Sequence, residues 1–244
     1  MNINPEITKT LLDYGKKVPT EELFPTVIPE ARGLACSDPY AFAMAVCLDR
    51  GTKGDIIWTI PYDIQKSLGQ LKPERIYQMT LDDLVELFNS LPRKPRYVNA
   101  APRTIQELTQ IVIEEHKGNA EKIWLGKRSS EVKRTFRSIY GVGPGIANLS
   151  VLLIEAAFGI QFDDLDRKQM DIKPDVHTKR VLYRLGVIDY TDFDLAIRAT
   201  RLMNPEYPGA LDAPLWSIGR KWCFASNPDC SNCPMEKVCY KLIR

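Results

Sequence analysis

Several features are missing from this sequence of 244 residues, and each absence excludes something. No sign of charge dominates, because 33 Lys and Arg stand against 31 Asp and Glu, for a formal net charge of +2. No global field therefore demands a nucleic-acid partner, and any contact with phosphates must come from a local basic patch. No apolar run approaches the length of a membrane span, and no basic segment followed by an apolar stretch opens the chain. The expectation is an intracellular protein of the cytoplasm or nucleoid, without a membrane partner. Internal repeats and low-complexity tracts are absent too, which excludes a solenoid or a linker-like chain.

What is present is an ordinary apolar share of 44%, enough for a sizeable core, arranged mostly with helical periodicity. Ile7 to Tyr14 carries a short helical pattern, followed by a proline-punctuated loop through Pro25 and Pro29. Phe42, Ala45, Val46 and Leu48 suit a buried helix beginning near Pro39. Asp49 to Gly54 is a polar turn holding Arg50. A short helix is expected from Pro73, and apolar residues at 81, 84, 85, 87, 88 and 91 stripe the next one. Arg93-Lys94-Pro95-Arg96 is a basic knot that either meets phosphates or is simply solvated. Ala101 to His116 reads as one helix stopped at Gly118. A further helix is expected over Phe193 to Met203, then a loop over Pro205 to Pro214. The pattern predicts an all-α fold.

The stretch from Phe136 to His177 organises the rest. Gly141, Gly143 and Gly145 alternate between two helical patterns, which predicts a tight hairpin between helices. The second helix starts just after the turn, so its unpaired N–H groups form an anion site suited to a phosphate. Taken alone, these glycines are explained better by a purely structural tight turn than by a phosphate site. A dinucleotide-binding fingerprint does not, because the spacing is wrong and the preceding Ser130 to Tyr140 segment is helical. Downstream, Pro174-Asp175-Val176-His177 places an acid where it would cap the next helix.

Four of the six cysteines crowd together as Cys223, Cys230, Cys233 and Cys239, while Cys36 and Cys47 sit in apolar surroundings as small core residues. In an intracellular protein such a cluster points to metal before disulfides. Four-cysteine zinc sites usually combine two C-x-x-C pairs, and only Cys230 and Cys233 form one here. The spacing C-x6-C-x2-C-x5-C better suits the wider wrap of an iron–sulfur cluster, with zinc as the alternative.

That cysteine pattern resembles the 4Fe–4S loop of the endonuclease III and adenine-mismatch glycosylase family, within the helix-hairpin-helix DNA glycosylases. Ile139 to Asn148 resembles the family's helix-hairpin-helix, Pro174 to His177 the segment bearing its catalytic aspartate, and Arg96 to Ile105 the helix before the hairpin. The resemblance runs from about Pro39 onward. It implies a six-helix domain over 34–158 and an iron–sulfur cluster domain made by both chain ends, 1–33 and 159–244. It implies Asp175 as the catalytic residue, Gly141, Gly143 and Gly145 as DNA-binding positions, and Cys223, Cys230, Cys233 and Cys239 as ligands of a 4Fe–4S cluster. Arg50 stands where the family carries a glutamine that fills the gap left by a flipped base, although a solvated loop arginine is an equal account. Two departures stand out. Four additional acids between Asp163 and Asp171 lengthen the link to Asp175, and no basic residue lies between Cys223 and Cys230, where Arg220 and Lys221 would substitute.

The expected function is base-excision repair by a monomer acting on duplex DNA that carries a damaged or mismatched base. The enzyme would flip that base and hydrolyse its N-glycosidic bond, with Asp175 facing the positive charge that develops on the sugar. The family's lyases carry a lysine where this chain has Gly145, so a monofunctional enzyme is expected. A bifunctional glycosylase/lyase would need an amine from elsewhere, such as Lys53 or Lys127. A non-catalytic DNA-binding module is the alternative from a different class.

Overall fold

The computed structural model describes residues 1–243, and no strand occurs among them. The helices in chain order are α1 (Pro5–Gly15), α2 (Pro29–Ser37), α3 (Pro39–Leu48), α4 (Gly54–Ile57), α5 (Ile60–Leu68), α6 (Pro73–Tyr77) and α7 (Leu81–Ser90), continuing with α8 (Ala101–Gln110), α9 (Ser129–Ser138), α10 (Pro144–Phe158), α11 (Val176–Arg184), α12 (Phe193–Met203) and α13 (Asp212–Lys221). They divide into two compact units. One spans Leu23–Leu165, and the other joins Met1–Glu22 to the chain from Asp166 onward. No helix among the described residues is long and apolar enough to cross a membrane.

The unit from Leu23 to Leu165 is built around α3, in which every residue from Tyr40 to Leu48 is buried. A helix apolar all round has to lie inside other helices. Asp38 starts it, its Oδ1 accepting from the N–H groups of Tyr40 (2.8 Å) and Ala41 (2.9 Å), with Pro39 in the first helical position. Phe42 lies edge-on to Trp58, Trp124 and Phe158, with ring centroids 5.9, 5.6 and 5.1 Å away. Phe42, fully buried, contributes roughly 1.5–3 kcal/mol by leaving water.

Three local expectations change. Pro29 does not continue a loop but opens α2, where a missing N–H costs nothing. The helix expected over 101–116 is α-helical only to Gln110 and then widens into a π turn over Ile111–Glu115. It stops at Lys117 and Gly118, both at positive φ, where Gly118 N–H returns to Val112 O at 2.9 Å. The basic knot is not wholly solvated either: Arg93 grips Asp63, a carboxylate only 3% exposed, through two hydrogen bonds.

In the other unit α1 meets the C-terminal helices. Ile7 and Leu11 enter a core with Val181, Leu182, Leu185, Leu215 and Ile218. Tyr14 Oη pairs with Ser217 Oγ at 2.8 Å, and Gly15 lies against Pro214. The loop expected over Pro205–Pro214 is a 3-10 turn at Pro208–Leu211 that runs directly into α13. The acids before Asp175 have structural partners. Within the first unit, Asp164 Oδ1 accepts from Ser129 N–H at 2.8 Å at the start of α9. Within the second, Asp166 caps the turn at Lys168, and Asp171 forms a two-pronged pair with Arg201 at 2.7 and 2.6 Å.

Candidate active site

The hairpin forms within the Leu23–Leu165 unit because α9 and α10 each bury an apolar face on either side of a short polar turn. Val132, Phe136 and Ile139 anchor one side, and Ile146, Ala147 and Val151 the other. Val142 N–H closes the turn on Ile139 O at 3.1 Å, and Gly143 is the N-cap of α10, with Pro144 following. The three glycines are not equivalent. Gly141 has φ +79°, which only glycine adopts readily, whereas Gly143 has φ −88°. A Cβ at Gly143 or Gly145 would meet nothing within 4 Å. Only Gly141 is demanded by the backbone. Gly143 and Gly145 instead leave bare backbone beside the first N–H groups of a 15-residue helix, which lets another molecule come close.

Residues that sequence patterning did not single out hold this turn in place. Tyr140 N–H donates to Glu107 Oε2 at 2.6 Å, and Arg103, paired with Glu107 Oε1 at 2.9 Å, lies over the Tyr140 ring at 4.1 Å. Thr104 Oγ1 donates to Tyr140 O at 2.9 Å. All three come from one stretch of α8; their i, i+1 and i+4 spacing was visible, but the turn they reach lies more than thirty residues away. Arg50 joins the group. Its Nη2 donates to Thr104 Oγ1 at 2.8 Å, and its guanidinium rests against Gly141.

Asp175 and the cysteines lie in the other unit and share α11. Asp175 is its N-cap: Oδ1 accepts from the N–H groups of His177 and Thr178, both at 2.8 Å, and Thr178 Oγ1 accepts from Asp175 N–H at 2.8 Å. Among the described residues no hydrogen bond engages Oδ2. One carboxylate oxygen is fixed and the other is free to act. His177 is half-buried beside it, and burial depresses its imidazole pKa below the ordinary value, against a smaller opposing effect of Asp175. Its Nδ1 lies 3.0 Å from Arg180 Nη2, and its Cβ presses on Gly219, where a methyl would come to 2.6 Å.

Farther along α11, two arginines hold the cysteine loop by its carbonyls. Arg180 Nε donates to Cys223 O at 2.7 Å, and Arg184 donates to Phe224 O at 2.5 Å and Ala225 O at 2.8 Å. Their i, i+4 spacing was legible, their target was not. The four cysteines are free thiols lining one small cavity of about 30 Å³, with Leu185, Ile218 and Met235 among its apolar walls. N–H donors face sulfur at three of them: Lys241 N–H to Cys239 at 3.3 Å, Arg184 to Cys223 at 3.5 Å, and Met235 N–H to Cys233. Burial pushes the Cys233 thiol up to about 11. No three His, Cys, Asp or Glu side chains among the described residues close to metal-site spacing. The donor set therefore fits a thiolate-bound group in kind, while a formed metal site is not present in the arrangement.

The sequence is 27% identical over 210 residues to Endonuclease III of Bacillus subtilis (strain 168), covering 84% of this chain and 83% of that protein. No protein-family model matches the chain. Solved structures agree on the fold. A trapped covalent Endonuclease III–DNA intermediate superposes with a TM-score of 0.64 at 19% identity, and a non-covalent Endonuclease III–DNA complex with 0.62 at 21%; each comparison covers 98% of this chain and 97% of the other. A thermostable thymine-DNA glycosylase gives 0.55 at 17% identity over 96% of this chain and 94% of that one. Sequence and fold are thus both similar to those of Endonuclease III.

Proposed function

We propose that the protein is a DNA glycosylase of base-excision repair, which hydrolyses the N-glycosidic bond of a flipped damaged or mismatched base. The observation that carries this is the carboxylate of Asp175, with Oδ1 tied to two backbone N–H groups and Oδ2 without a hydrogen bond among the described residues, in a chain similar to Endonuclease III. Departure of the base leaves positive charge on the deoxyribose, and a fixed carboxylate stabilises that charge and steers the attacking water. The unit containing the hairpin grips the phosphate backbone, which fixes register without reading sequence. Gly141 shapes the turn, and Gly143 and Gly145 give phosphate access to the start of α10. Gly145 carries no amine, so the reaction ends at hydrolysis and no Schiff base forms there.

In the unit containing Asp175, Cys223, Cys230, Cys233 and Cys239 are assigned as the ligands of a 4Fe–4S cluster, supported by four free thiols around one cavity and by the spacing of the loop. When bound, such a cluster cross-links the loop through iron–thiolate bonds. The protein is taken to act on double-stranded DNA as a monomer. The deciding experiment is a panel of duplexes, each with one lesion or mismatch, incubated with the protein and analysed with and without alkali. Strand cleavage only after alkali is expected. Nicking without alkali would refute monofunctional action, and silence on every duplex would refute catalysis in favour of a DNA-binding module.

A further inference from the structure

We propose that Arg50 is a positioning residue that braces the hairpin from inside the fold, not a side chain that enters DNA to fill the gap of a flipped base. Its consequence for DNA affinity rests on the function proposed above; its effect on the hairpin does not.

The geometry begins at the end of α3. Arg50 N–H turns back onto Leu48 O at 2.6 Å, and the side chain leaves the 49–54 turn toward α8 and the hairpin. There the guanidinium occupies space that only a glycine leaves open. A Cβ on Gly141 would lie 1.6 Å from Arg50 Nη1 and 2.2 Å from its Cζ. Gly141 is thus required twice, once by its φ of +79° and once by the arginine against it. Thr104 links the two: its hydroxyl accepts from Arg50 Nη2 at 2.8 Å and donates to Tyr140 O at 2.9 Å. With Tyr140 N–H held by Glu107 at 2.6 Å, the backbone entering Gly141 is fixed at both its donor and its acceptor.

Two further facts argue against a merely stabilising contact. Arg50 Nη1 is buried with no hydrogen-bond partner among the described residues, an arrangement that costs stability. No carboxylate among the described residues pairs with the guanidinium, so its charge is not neutralised locally. That charge lies against Gly141, two residues before the N-cap of α10, and the charge and the helix start both favour an anion there. Arg50 thereby sets the shape of the turn and raises its attraction for a phosphate without touching one.

The test combines amide exchange in the free protein with binding to two duplexes, one undamaged and one carrying a single abasic-site analogue. Arg50→Gln should speed exchange at the Tyr140 and Val142 amides by on the order of tenfold, as expected for one lost hydrogen bond to a charged group. It should weaken both duplexes by the same factor. Thr104→Val, nearly isosteric, should shift both readouts in the same direction, and it stands in if Arg50→Gln does not fold. Gly141→Ala should be less damaging in an Arg50→Ala background than in the parent, because the 1.6 Å overlap is gone and only the positive φ remains. Unchanged hairpin exchange, or a loss confined to the abasic duplex, would overturn the assignment and return Arg50 to a gap-filling role. If the parent binds neither duplex, the proposed function fails, and the exchange of Tyr140 and Val142 still decides the brace.

Discussion

Asp175→Asn separates chemistry from folding more cleanly than any other substitution in the chain. The side chain keeps its shape and an oxygen to accept from the N–H groups of His177 and Thr178, both bonds being 2.8 Å in the parent. Asparagine ranks with aspartate as an N-cap. The lost charge at the start of α11 costs only about 0.3–1 kcal/mol, which in a chain of this size lowers Tm by at most about 4 °C. The chemical loss is larger. A carboxylate aimed at a developing cation is worth on the order of 3–4 kcal/mol, so base release should slow by about two to three orders of magnitude. Binding should persist or tighten, since a negative charge near phosphates has been removed. The assay is single-turnover base release, with alkali cleavage as the readout, beside a thermal melt and a binding isotherm. An unchanged rate would refute the catalytic assignment. The next acid to test would be Asp163, which is exposed, because Asp164, Asp166 and Asp171 have structural partners.

The hairpin and the cysteine loop give three more tests. Gly143→Val has room and ordinary φ, so it should leave the melting temperature nearly unchanged yet weaken every duplex by a similar factor; selective loss on one lesion would contradict a phosphate grip. Gly145→Lys, also into open space, should allow borohydride to trap the protein on substrate DNA where the parent is not trapped; no trapped species would count against the alignment of the hairpin with the sugar. Protein purified without oxygen should absorb broadly near ~400 nm and contain iron and sulfide; zinc alone on metal analysis would remove the cluster assignment. Cys230→Ser should lower the yield of folded protein before it alters lesion preference.

Local rules were enough to find α1, α3, α6, α7, α8, α12, the hairpin and the cap at Asp175, but not α2, α5 or α13. Helical periodicity, a glycine turn and an acid before a helix act over a few residues, and a sequence displays them directly. The apolar content of α3 announced its burial, and Asp175 was readable as a cap for the same reason, while its candidacy as the catalytic acid came from the resemblance alone. The errors were also local: Pro29 and the Pro208–Asp212 stretch looked like loops because proline is equally at home in a turn and in the first position of a helix. What tertiary structure alone decided is which partner each side chain meets. Arg50 stands in a polar turn, and a residue 54 positions away supplies its hydrogen bond while Gly141 lies against its guanidinium. Arg93 read as part of a basic patch, yet it neutralises Asp63. The glycines of the hairpin looked alike until backbone angles and surrounding space separated Gly141 from Gly143 and Gly145. Charges and glycines take their roles from neighbours that only folding brings within a few ångströms, and sequence spacing carries no record of that distance.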